Sequence, residues 1–231
     1  MHEAIRRGIT LLRHGQTEGA PALYGRSDPP LTADALHSYT PLLQAPGGIW
    51  QRVLCSPRTR CRQVASLLAE HFDIPLVIWP ELAEMDFGQW DGVPYADLVA
   101  QWSHLERFWA DPVANPLPGA EPLAEFHRRV LQAWERLLHL NREESLLVVT
   151  HGGVIRMLLA HVLHADWQRG EFYQCLTIPY ASMTQLEVWH GDGLPAIQIR
   201  QLASLLTEPV IPSFFDAQRP LMGSLVRSFD G

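Results

Sequence analysis

Lysine is absent from this 231-residue chain, so all 18 of its basic side chains are arginine. That excludes a phosphate-binding P-loop, whose signature requires a lysine. Cysteine is scarce, with Cys55, Cys61 and Cys175 forming an odd set without metal-site spacing. This implies neither a disulfide framework nor a zinc site, and it suits a reducing cytoplasm. No apolar run approaches the length of a membrane span. Met1 to Arg7 holds a basic pair with too short an apolar run behind it for a signal peptide. Positive charge is in deficit, and a net charge of −7 gives no general attraction to nucleic acid or anionic lipid. Repeats and low-complexity segments are lacking too. What is present, a 47% hydrophobic chain, is enough for one large α/β domain with a full core.

Along the chain, Gly8 to Leu12 is an apolar, partly β-branched run that predicts a buried strand. Tyr24 to Pro30 is a turn-rich loop. Thr32 is positioned to cap a short helix through Leu36, which Pro41 should kink or end early. Trp50 to Cys55 predicts a second strand. A helix should follow to about Phe72, with Ser56 as its N-cap and Pro57 at its first position. Pro75 to Trp79 predicts a third strand. From Glu81 to Gly119 the pattern loosens into loops and short helices, with Trp90, Trp102 and Trp109 scattered among Gly, Pro and Asp. Pro122 opens the strongest helical pattern, a stripe of Leu123, Phe126, Val130, Trp134, Leu137 and Leu138. Leu146 to Thr150 predicts a strand and Val154 to about His164 a helix. Met183 to Trp189 and Ala196 to Leu202 predict a closing pair of strands. Alternating strands and helices imply a three-layer α/β/α sandwich with a largely parallel sheet. The expected organisation is a single domain over 1–231, with an insertion at about 81–120. A tail from about 204 carries Phe214, Phe215, Leu221 and Phe229 and is expected to pack on a surface.

Two strands end alike, in Leu11-Leu12-Arg13-His14-Gly15 and Val148-Val149-Thr150-His151-Gly152. In a parallel sheet both imidazoles rise at the carboxyl edge, where ligands of open α/β sheets bind. Ser56-Pro57-Arg58-Thr59-Arg60 adds a helix start at that edge, and helix N-termini favour anions. Two histidines and two arginines converging there form a phosphoryl site.

These motifs resemble those of the histidine phosphatase superfamily, also called phosphoglycerate mutase-like, from about Gly8 to Leu202 and in the family's order. The Arg-His-Gly signature falls on Arg13-His14-Gly15, and the arginine of the Ser-Pro-x-x-Arg pattern falls on Arg60. The acidic residue falls on Glu84, within Leu82-Ala83-Glu84-Met85-Asp86-Phe87-Gly88-Gln89-Trp90, and the second histidine on His151. One departure is Ala20, where many members have an asparagine that assists with phosphate. The resemblance implies a phosphohistidine mechanism. His14 would be the nucleophile, Arg13, Arg60 and His151 the phosphate-binding groups, and Glu84 the proton donor, with Asp86 the competing acid. A neutral imidazole can attack phosphorus if its other ring nitrogen is held as a donor, as by a backbone carbonyl. His151 would act best protonated beside the phosphate, and Glu84 needs a raised pKa to donate. The arginines would neutralise the equatorial oxygens, so no metal or cofactor is required.

Other features read more plainly. Arg58 and Arg62, one turn apart, read as a solvated helix face, and His161 and His164 as surface histidines. The tryptophans are divided between a ligand-stacking wall and cover for the sheet edge.

Within the superfamily, Leu23 to Thr32, Glu84 to Gly92 and Asp111 to Glu121 look most like bacterial α-ribazole phosphatases. That resemblance implies hydrolysis of α-ribazole 5′-phosphate in cobalamin nucleotide-loop assembly. A broad small-molecule phosphatase, a cofactor-dependent phosphoglycerate mutase and a non-catalytic phosphate-ester binding module are the alternatives. The mutase resemblance calls for an insertion rich in arginine and lysine, and Asp91 to Ala120 offers only Arg107. The expected partner is a small phosphate ester, with neither nucleic acid nor membrane. The oligomeric state stays open, a homodimer being one reading.

Overall fold

The computed structural model describes residues 5–206. Its elements are β1 (Ile5–Arg13), α1 (Ala33–His37), α2 (Thr40–Leu43), β2 (Arg52–Cys55), α3 (Thr59–Phe72) and β3 (Leu76–Ile78). They continue with α4 (Trp102–Ala110), α5 (Leu123–Leu138), β4 (Leu146–Thr150) and α6 (Gly152–Val162), then α7 (Gly170–Cys175), β5 (Ser182–His190) and β6 (Ala196–Leu205). The strands form one sheet in the order β3-β2-β4-β1-β5-β6. The first four are mutually parallel, and β5 alone runs against the rest. The sheet is largely parallel with helices on both sides, as the alternation of strands and helices predicts.

Strand side chains alternate between the two faces. Ile9, Leu11, Leu54, Leu146 and Val148 pack with Phe126, Val130 and Trp134 of α5 and Val154 and Leu158 of α6. Leu12, Val53, Cys55, Leu147 and Val149 face α1, α2 and α3 on the other side. Because the four parallel strands are covered on both faces, they read as unbroken apolar runs.

Local chemistry explains most boundaries. Thr32 accepts the Ala35 N–H at 3.2 Å and caps α1, and Pro41 sits in the first turn of a separate α2. The helix predicted from Ser56 begins instead at Thr59, with Arg58 as its N-cap residue. Its cap comes from elsewhere in the chain. Asp28 takes the Thr59 N–H at 2.7 Å and the Thr59 hydroxyl at 2.8 Å, which leaves Ser56 free for another partner. The stretch from Pro80 to Ala110 contains three 3-10 turns (Pro80–Leu82, Gly88–Trp90 and Tyr95–Gln101) followed by α4. β6 runs on to Leu205, so Ser204, read as the start of the tail, belongs to the sheet. Phe214, Phe215, Leu221 and Phe229 lie outside the described residues.

Candidate active site

Strand register brings the two histidines together. Arg13 pairs with Thr150 across β1 and β4, and the His14 N–H continues that ladder onto Thr150 O at 3.0 Å. The imidazoles of His14 and His151 lie edge to face, 5.0 Å between centroids. Gly15 permits the tight exit from β1, since a Cβ there would stand 2.9 Å from Ala35 Cβ.

His14 Nδ1 lies 2.7 Å from Gly15 O, an acceptor only, so Nδ1 carries the proton and Nε2 the lone pair. Burial, then the charges of Arg60 and Arg13, hold the His14 pKa well below the ordinary histidine value. The ring is therefore neutral at pH 7, with a free lone pair on Nε2. His151 is fully buried and likewise held well below its ordinary value, by burial first and then by His14, Arg60, Arg58 and Arg13. Without an anion beside it His151 rests neutral, because an apolar surround and three arginines oppose a further positive charge. Its Nε2 is 2.7 Å from Ser56 Oγ, which also accepts the Arg58 N–H at 3.3 Å.

Arg13 donates Nη1 to Ile178 O, and its guanidinium lies 4.0 Å from the centroid of the Tyr180 ring. Arg60 is fully buried; it donates Nη1 to Ser27 O at 2.9 Å and Nη2 to Tyr24 O at 2.7 Å. The Nε atoms of Arg13, Arg58 and Arg60 are buried with no hydrogen-bond partner in the protein. A buried donor without an acceptor costs roughly 1–3 kcal/mol, so unpaired cationic donors around one imidazole suit an anion. Arg58 thus departs from the solvated face read for it, while Arg62 is exposed.

Glu84 reaches the site from the turn after β3. Its Oε2 accepts the Gly153 N–H at 3.0 Å and its Oε1 the Met85 N–H at 3.1 Å. Asp86 instead accepts the Gly88 N–H at 2.8 Å and lies near Arg26.

A cavity of about 440 Å³ opens over these groups, within the range of small-ligand sites. Its wall carries Arg13, His14, Glu84 and Gly152-Gly153, while Arg60, His151 and Asp86 are not part of it. Much of the same wall is aromatic, with Phe87, Tyr95, Phe108, Trp109, Phe126 and Tyr173. Tyr95, Trp102 and Trp109 brace one another in T-shaped pairs. Trp90 is buried against His104 instead. Sequence reasoning missed Arg156, which lines the cavity and donates Nε to Leu176 O at 2.7 Å. Its signal was its place on α6, five residues after His151. Among the described residues no group of three or more His, Cys, Asp or Glu is arranged for a metal, and His161 and His164 are exposed.

The profile of the histidine phosphatase superfamily (branch 1) matches residues 9–197. The chain belongs to this family. It is a histidine phosphatase, an enzyme of small phosphate esters. It is 36% identical over 192 residues to the adenosylcobalamin/α-ribazole phosphatase of Salmonella typhimurium, covering 79% of this chain and 86% of that one. The protein of the same name from Escherichia coli K12 is 31% identical over 159 residues, 67% of this chain and 78% of the relative. The crystal structure of the α-ribazole phosphatase from Shigella flexneri superposes with a TM-score of 0.70 at 24% identity, over 85% and 96% of the two chains. At that identity the likeness speaks for the fold. No helix among the described residues is long and apolar enough to cross a membrane.

Proposed function

We propose that this histidine phosphatase hydrolyses α-ribazole 5′-phosphate through a phosphohistidine on His14, as a single cytoplasmic domain that engages neither nucleic acid nor membrane. The observation that carries the mechanism is the Nδ1 hydrogen bond of His14 to Gly15 O, which leaves a neutral Nε2 as nucleophile. In the first step Nε2 attacks phosphorus, the bond from phosphorus to the ester oxygen breaks, and the departing oxygen takes a proton from Glu84. In the second, Glu84 takes a proton from water as its oxygen attacks phosphorus and the N–P bond breaks. Arg13, which lines the cavity, meets the equatorial oxygens as charge shifts in a loose transition state, and Arg60 and His151 support that charge from beside His14. Arg156 adds a second cation to the same cavity wall.

Two findings support the substrate. The relatives with the highest identities above are adenosylcobalamin/α-ribazole phosphatases. The aromatic lining of the cavity suits an ester whose alcohol carries a planar base, because stacked and edge-to-face rings attract beyond their buried area. The test is phosphate release from α-ribazole phosphate against a panel of small esters. A specificity constant well above that for simple esters is expected. Slow, uniform hydrolysis would leave only a general phosphatase.

A further inference from the structure

A proton donor needs a backbone that holds its place, yet Glu84 sits in irregular chain between two 3-10 turns. Its neighbourhood is held by side chains. Arg129 of α5 donates Nη1 to Glu81 O at 2.9 Å and to Ala83 O at 2.7 Å, and Nη2 to Glu84 O at 3.0 Å. Between them, Leu82 O accepts from Thr150 Oγ1 at 2.8 Å. Four consecutive carbonyls, 81 to 84, thus rest on two side chains from α5 and β4.

Glu121 aims the guanidinium, taking Nε at 2.6 Å and Nη2 at 2.9 Å in a two-pronged pair. The Glu121 backbone N–H also donates to Asp86 O at 2.9 Å. The pair therefore grips the chain on both sides of Glu84. Only a planar fork with several fixed donors can serve three carbonyls and a carboxylate together, which a lysine ammonium cannot. Arg129 does not line the cavity, so it acts without touching substrate.

We propose that Arg129, aligned by Glu121, is a positioning residue that sets where Glu84 delivers its proton. The proposal rests on the reading of Glu84 as the donor. A merely structural arginine would affect all substrates alike. A positioning residue for the acid should matter most where the leaving group needs a proton.

The experiment compares phosphorylation bursts from an alkyl phosphate and from p-nitrophenyl phosphate in Arg129→Met, Arg129→Lys, Glu84→Gln and the double variant Arg129→Met/Glu84→Gln. Arg129→Met is expected to slow the alkyl ester by at least about tenfold and the nitrophenyl ester far less. The double variant should be no slower on the alkyl ester than Glu84→Gln alone, since both changes act through one group. Arg129→Lys, which keeps the charge if the methionine variant does not fold, should show the same bias to a smaller degree. Equal slowing of both esters by the Arg129 variants, beside a clear bias in Glu84→Gln, would overturn the positioning role alone. Equal slowing in Glu84→Gln itself would remove the donor and the proposal with it.

Discussion

Glu84 and Gly153 touch across the cavity floor. The Glu84 Oε2 accepts the Gly153 N–H at 3.0 Å, and a Cβ on residue 153 would lie 2.3 Å from Oε1. The glycine at the start of α6 is therefore the space that the acid occupies. Gly153→Ala should push the carboxyl aside and slow alkyl esters about as much as Glu84→Gln does. Stability should hold or rise, because alanine favours a helix over glycine by roughly 0.5–1 kcal/mol. Burst kinetics beside a melting curve checks this, and full activity in the alanine variant would contradict the contact.

His14 should be the only residue to carry phosphate. Brief exposure to labelled substrate and trapping without acid should label His14. His14→Asn should cut turnover by at least about a thousandfold with the fold intact by circular dichroism. Label on a serine or cysteine would sink the mechanism.

The paired imidazoles make a pH prediction. His14 and His151 stay neutral in the folded state below the ordinary value of 6.5, whereas the unfolded chain takes up their protons there. The unfolded state thus binds more protons, so stability is present above 6.5 and is lost as pH falls through the window toward the lowered folded values. Each histidine contributes a slope of up to about 1.4 kcal/mol per pH unit. The double variant His14→Asn/His151→Asn should flatten the acid side of the melting-temperature profile. The same depression should place the acid limb of phosphorylation well below 6.5. An acid limb at the ordinary histidine value would show that the ring is not held neutral.

The aromatic lining of the cavity should govern selectivity. Trp109→Ala should raise KM for α-ribazole phosphate by roughly tenfold, consistent with an aromatic contact of about 0.5–1.5 kcal/mol. KM for a small alkyl phosphate should be nearly unchanged. An equal rise for both would mean that the tryptophan only supports α4.

Hydrolysis rather than transfer is the last expectation. The cavity wall holds only two cations, Arg13 and Arg156, among many aromatic side chains. Water should therefore be the usual acceptor. 3-Phosphoglycerate should not be isomerised even with bisphosphoglycerate primer, and EDTA should leave turnover unchanged. Primer-dependent isomerisation would reverse the assignment.

By itself the sequence determined the parts of this enzyme that depend on neighbours along the chain. Apolar runs that stop at Arg13-His14-Gly15 and Thr150-His151-Gly152 mark strand ends because a β-strand buried on both faces is mostly apolar until it leaves the sheet. The Thr32 cap, the break at Pro41 and the stripe of α5 are legible for the same local reason. The tertiary structure alone decided what lies between elements. Ser56 reads as a helix cap, but its hydroxyl meets His151, 95 positions away, while Asp28 caps α3 from 31 positions before. The resting charge of His151 depends first on its burial and then on the second imidazole and three arginines that folding crowds around it. Arg129 lies off the apolar stripe of α5, and it meets Glu84 O only because α5 docks beside that turn. Periodicity shows which side of a helix is apolar. Which distant carbonyls its arginine will meet is set only by packing.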